Sequence, residues 1–106
     1  MSWFSGWRRG SSARSSTRPE PSAVAHLEQF VASRRGVEAF IEQPTTMTKA
    51  SILLIAYDGE WTRRTVPDVA WARRFAARSG LPAYDAGVIG YPQRMRDYDS
   101  RRRPKR

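Results

Sequence analysis

Apolar positions recur along this chain with two different periods, and the switches between them mark its elements. From Ser22 to about Arg35, Val24, Leu27 and Val31, with Phe30 beside them, form one helical stripe. Ser22 is the expected N-cap and Gly36 the C-terminal stop, so Arg34 and Arg35 occupy the last turn, where the helix dipole favours cations. Val37 to Gln43 alternates around Val37, Ala39 and Ile41 and reads as a strand ended by Pro44. Ala50 to Tyr57 is apolar on both faces, the pattern of a central strand covered on each side. Asp58-Gly59 predicts a two-residue hairpin that returns Glu60 to Val66 antiparallel. In that register Tyr57 faces Glu60, Ala56 faces Trp61, and Arg63 and Arg64 point to opposite faces. A strand with a charge on each face belongs at a sheet edge.

Thr65-Val66-Pro67-Asp68 opens a second helix, either with Asp68 as the cap or with Thr65 and Asp68 as a capping box around Pro67. Val69, Ala72 and Ala76, flanked by Trp71 and Phe75, form its buried side; Arg73, Arg74 and Arg78 stay solvated, and Gly80 ends it. Ala83 to Ile89 reads as a last strand, with Gly90-Tyr91-Pro92 as its turn. The expected fold is a two-layer α+β domain of order α-β-β-β-α-β. Its small mixed sheet is a three-stranded meander plus one parallel strand, covered by two helices. The last strand pairs beside either the first or the third.

Charge then divides the chain. Of its net +9, residues 1 to 21 contribute +3, the middle only +1, and the stretch from Tyr91 onward +5. Residues 1–21 and 93–106 therefore read as disordered basic tails around a core domain spanning 22–92. Seventeen of the 19 basic residues are arginine, a bias that GC-rich coding can produce as well as selection for guanidinium chemistry. The longest apolar run, Ile52 to Ala56, is far below the roughly 20 residues of a spanning helix. Arg8-Arg9 is followed by Gly10-Ser11-Ser12 rather than by an apolar segment, so an export signal is not expected and the cytoplasm is the default location.

The chemistry available is narrow. With no cysteine there is no disulfide, thiol catalysis or thiolate ligation; with His26 alone there is no metal-ligand spacing and no second histidine to serve as a base. Gly80, Gly87 and Gly90 do not form a phosphate-binding loop, and no cofactor is expected. An enzymatic reading would rest on Tyr57, Asp58, Glu60, Tyr84 and Asp85 converging near the sheet ends. The stretch from Tyr91 to Arg103 is more suggestive, because aromatic and guanidinium groups interleave there, a mixture that stacks on bases while neutralising phosphates. Alternatively, Tyr91, Met95 and Tyr98 complete the edge of the core and the arginines solvate it. Near the other end, Trp3, Phe4 and Trp7 beside Arg8 and Arg9 suit peripheral contact with an anionic membrane, packing on the core, or insertion into a partner.

The residues from Gly36-Val37-Glu38-Ala39-Phe40 through Asp58-Gly59-Glu60-Trp61-Thr62-Arg63-Arg64 to Leu81-Pro82-Ala83-Tyr84-Asp85 and Gly90-Tyr91-Pro92-Gln93-Arg94-Met95-Arg96-Asp97-Tyr98 resemble a family of small uncharacterised actinobacterial proteins, sometimes labelled oxidoreductases. The resemblance covers the core and implies no established activity. What the sequence leads one to expect is a non-enzymatic accessory protein binding polyanion, RNA or a ribonucleoprotein first of all, through Arg8, Arg9, Arg94, Arg96, Tyr98, Arg101, Arg102 and Arg103. The alternative is a protein-interaction module whose partner meets Trp61, Arg63, Arg64 and Tyr91. A small enzyme of unknown reaction is the third reading.

Overall fold

A computed structural model describes residues 18–102. The expected character of residues 1–17, with Trp3, Phe4, Trp7, Arg8 and Arg9, and that of Arg103 lie outside the described residues. The order is α1 (Pro21–Ser33), β1 (Glu38–Glu42), β2 (Ser51–Ile55), β3 (Trp61–Thr65), α2 (Val69–Arg78), β4 (Ala83–Asp85), a helical turn α3 (Ala86–Ile89) and α4 (Gln93–Arg102). The sheet runs β3-β2-β1-β4, antiparallel except for the parallel β1/β4 pair. The last strand thus lies beside the first, and β3 is the expected edge.

Both faces of β2 are covered. Ile52 and Leu54 join Ala39 and Ile41 of β1 beneath Val24, Leu27 and Phe30 of α1 and Trp71, Ala72, Phe75 and Ala76 of α2. Leu53 and Ile55 join Phe40 and Ala86 on the other face, where Trp61, Tyr84 and Met95 pack against them. The four apolar side chains Ile52, Leu53, Leu54 and Ile55 are wholly buried, which explains a strand with no polar face. The second cover comes from α3 and α4. The folded part therefore does not stop at residue 92, as a C-terminal tail from residue 93 would require, but continues as helix through Arg102.

Four local readings are corrected. The first helix starts at Pro21 with Glu20 as its N-cap residue, not Ser22, because proline at the first helical position presets φ without sacrificing a bonded N–H. It ends at Ser33, so Arg34 is the C-cap residue and its guanidinium reaches Glu60 at 2.5 Å. The hairpin loop is Tyr57-Asp58-Gly59, with Ile55 opposite Trp61 and the Ala56 N–H donating to the Glu60 carbonyl. This is a one-residue slip from the expected register, and it moves Trp61 from the α1 face to the α4 face of the sheet. The last strand is only Ala83–Asp85: the Asp85 carboxylate accepts the Gly87 N–H at 2.9 Å and starts α3, leaving Val88 83% and Ile89 59% exposed.

The start of α2 is as expected, the Asp68 carboxylate accepting the Trp71 N–H at 2.7 Å. Its end is a Schellman motif on Gly80: the Leu81 N–H donates to the Ala76 carbonyl and the Gly80 N–H to that of Ala77. Among the described residues no helix is long and apolar enough to cross a membrane.

Candidate nucleic-acid interface

The α4 helix carries five of the residues expected to meet nucleic acid, and its seat on the sheet decides which of them face outward. It has no buried residue and Met95 alone joins an apolar cluster, so its attachment is mainly polar. Arg94 donates through Nε to the Ala56 carbonyl (2.9 Å) and through Nη2 to Glu38 Oε1 (2.6 Å), while the Tyr84 hydroxyl donates to the other Glu38 oxygen. The Trp61 indole N–H donates to Asp99 (2.9 Å), and Arg101 donates to the Asp58 carbonyl (3.0 Å). Gly59 lies directly beneath the helix: a Cβ there would stand 1.9 Å from the Arg94 carbonyl oxygen and 2.9 Å from the Tyr98 Cβ.

Arg94 and Tyr98 are therefore half-buried in the seat, whereas Arg96, Arg101 and Arg102 are exposed. Each exposed guanidinium is held by a neutral acceptor: Arg96 by the Gln93 side-chain oxygen, Arg101 by the Asp58 carbonyl, Arg102 by the Tyr98 hydroxyl. Arg101 and Arg102 also lie 5.9 and 5.5 Å from the Tyr98 ring centroid. Among the described residues no carboxylate forms an ion pair with any of the three.

The residues expected to meet a protein partner also make contacts within this chain. Trp61 is half-buried, bonded to Asp99 and flanked by Arg63, 5.9 Å from its ring. Arg63 makes a two-pronged bond to Glu42 (3.1 and 3.0 Å), and the Tyr91 hydroxyl donates to the same carboxylate. Burial alone would raise the Glu42 carboxyl, but the bonds from Arg63 and Tyr91 outweigh it and hold the group below the usual carboxylate range. Burial, and then Glu42, push the Tyr91 phenol upward. Glu42 is thus kept ionised as an ion-pair member. Arg64, on the opposite face, donates to the Arg63 carbonyl at 2.7 Å. Near it, His26 and Thr62 share a hydrogen bond of 2.7 Å, and partial burial, then the Arg64 and Arg34 charges, lower the imidazole pKa.

The carboxylates and phenols on which an enzymatic site would rest do not converge. Asp58 and Glu60 flank the β2–β3 turn, while Tyr84 and Asp85 are on β4 at the other edge of the sheet, where Asp85 accepts from Gln43. Sequence reasoning passed over Glu38 and Glu42, the anchors for Arg94 and Arg63. A signal was present: strand alternation puts Glu38, Phe40 and Glu42 on one face, and if β2 is covered on both sides, carboxylates beside it must meet cations. Comparison with protein-family models, curated proteins and solved structures finds no match for the chain.

Proposed function

We propose that this protein is a non-enzymatic cytoplasmic accessory factor that binds single-stranded RNA or the RNA surface of a ribonucleoprotein. Arg96, Arg101 and Arg102 of α4 and the basic segments beyond the described residues make the phosphate contacts. One observation carries the reading: these three guanidiniums stand on a helix that the core fixes, oriented by neutral acceptors, with their charge available to phosphate. The sequence adds six further bases and no acid in residues 1–17 and 103–106, which suits counterion release along a flexible backbone.

The test is a salt titration of oligouridylate binding by the full chain and by Arg96→Ala/Arg101→Ala/Arg102→Ala. At about 0.7 released counterions per phosphate contact, the triple variant should flatten the log–log slope by about 2. An unchanged slope overturns the reading. The edge position of β3 supports a second reading, in which a partner's strand extends the sheet. That complex would persist at salt concentrations that abolish RNA binding.

A further inference from the structure

The β2–β3 turn presents an aromatic side chain that stands largely exposed among the described residues. Tyr57 is 68% exposed, and its hydroxyl has no hydrogen-bond partner among the described residues. Its backbone, by contrast, is held from two sides. The Tyr57 N–H donates to the Arg35 carbonyl at 3.0 Å. A Cβ on Gly36 would stand 2.9 Å from the Tyr57 Cβ, so the chain leaving α1 braces the base of the side chain. On the far side of the turn, Arg101 is bonded to the carbonyl of the next residue, Asp58, and Tyr98 crosses Gly59. An exposed phenol thus projects from a turn whose backbone is bonded to the carbonyl of Arg35, itself exposed, on one side and to the Arg101 guanidinium at the end of α4 on the other.

We infer that Tyr57 is a stacking platform for an unpaired base, with Arg35 on one side and Arg101 and Arg102 on the other holding the flanking phosphates. This rests on the RNA reading above and adds to it the contact that selects single strands. The Asp58 carboxylate accepts the Glu60 N–H at the same turn. That negative charge repels a phosphate placed directly on the turn and favours an uncharged base there, with phosphates on the outer arginines. A base splayed onto an aromatic ring between guanidiniums is the usual means of holding single strands without reading sequence. A duplex, its bases stacked inside, cannot use it.

The experiment measures binding of the full chain, Tyr57→Ala, Tyr57→Phe and Arg101→Ala/Arg102→Ala to oligouridylate and to inorganic polyphosphate, which carries the backbone charge without bases. Tyr57→Ala should weaken oligouridylate binding by roughly 5- to 100-fold, the loss expected for one stacked base, and leave polyphosphate binding within about twofold. Tyr57→Phe keeps the ring and should bind like the parent. The arginine variant should weaken both ligands, and matched thermal melts of every variant separate a lost contact from a loosened fold. Equal effects of Tyr57→Ala on both ligands, or no effect on either, overturn the platform while leaving the RNA reading in place. No oligouridylate binding by the parent chain overturns both.

Discussion

Gly59→Ala is the sharpest probe of whether the C-terminal helix belongs to the fold, because an identical substitution elsewhere supplies the control. Gly59 and Gly80 both have left-handed backbone angles, φ +96° and +73°. An added Cβ at Gly80 meets nothing within 4 Å, so Gly80→Ala incurs only the conformational penalty, about 1–2 kcal/mol. At Gly59 the new methyl would lie 1.9 Å from a main-chain oxygen of α4, which no rotamer change relieves. The helix must lift. Lifting disrupts the Arg94–Glu38 and Trp61–Asp99 bonds, about 1 kcal/mol each once partial exposure is allowed for, and the Met95 contact, about 1 kcal/mol more. Gly59→Ala should therefore cost about 4–5 kcal/mol against 1–2 for Gly80→Ala, a large share of the roughly 5–15 available to a small domain. Urea unfolding followed by circular dichroism gives both values, and hydrogen exchange shows whether α4 amides lose protection first. If the two variants differ by less than about 1 kcal/mol, α4 does not sit on the turn, and the assignment of Arg94 and Tyr98 to its seat fails with it.

Two further expectations follow from the caps and from the single histidine. Asp68→Ala should cost about 1 kcal/mol, as for other N-caps, while Ser22→Ala should cost no more than a few tenths; equal losses in urea unfolding would contradict the assigned helix start at Glu20. Because the imidazole of His26 is lowered in the folded chain, the unfolded chain binds its proton first, so stability should fall as pH drops below about 6.5. His26→Gln should flatten that slope, and an unchanged pH profile of the urea midpoint would place the proton uptake elsewhere.

The secondary structure was legible where one local signal decided it. The Gly80 stop and the two-faced apolar run of β2 are both found, and of the two readings offered for the start of α2 the structure has Asp68 as the cap. Errors arose where tertiary packing chose between two locally sound options. Asp58-Gly59 fits either a two-residue turn or the end of a longer loop; the half-buried place for Trp61 beside Leu53 and Ile55 is consistent only with the second. Ala86 to Ile89 has strand composition, but Asp85 caps a helical turn there. The largest gap was α4. With mean hydropathy strongly polar, it shows no apolar stripe, and its attachment depends on Glu38, a carboxylate far away in sequence. The doubly covered β2 already required such a lid, and of the two readings of residues 91–103 it is the one in which Tyr91, Met95 and Tyr98 finish the edge of the core that supplies it, with Met95 packed on the second apolar cluster.

Glu38 also separates two explanations of RNA binding that charge counting cannot. Ion pairs of the fold join Glu38, Glu42 and Glu60 to Arg94, Arg63 and Arg34, all partly exposed. Salt that screens phosphate contacts therefore also weakens the seat of α4. Glu38→Gln raises the net charge by one while removing the charged partner of Arg94. If affinity follows total charge alone, this variant should bind oligouridylate slightly more tightly than the parent. If binding depends on α4 holding Arg96, Arg101 and Arg102 in one arrangement, the loosened helix must be ordered again on binding, and affinity should fall several-fold, mostly through faster dissociation. Measured at one fixed low salt concentration, a tighter complex would refute the role of the docked helix and return the binding to unstructured charge. A weaker complex, together with reduced protection of α4 amides in hydrogen exchange, would tie recognition to the same contacts that close the second face of the sheet.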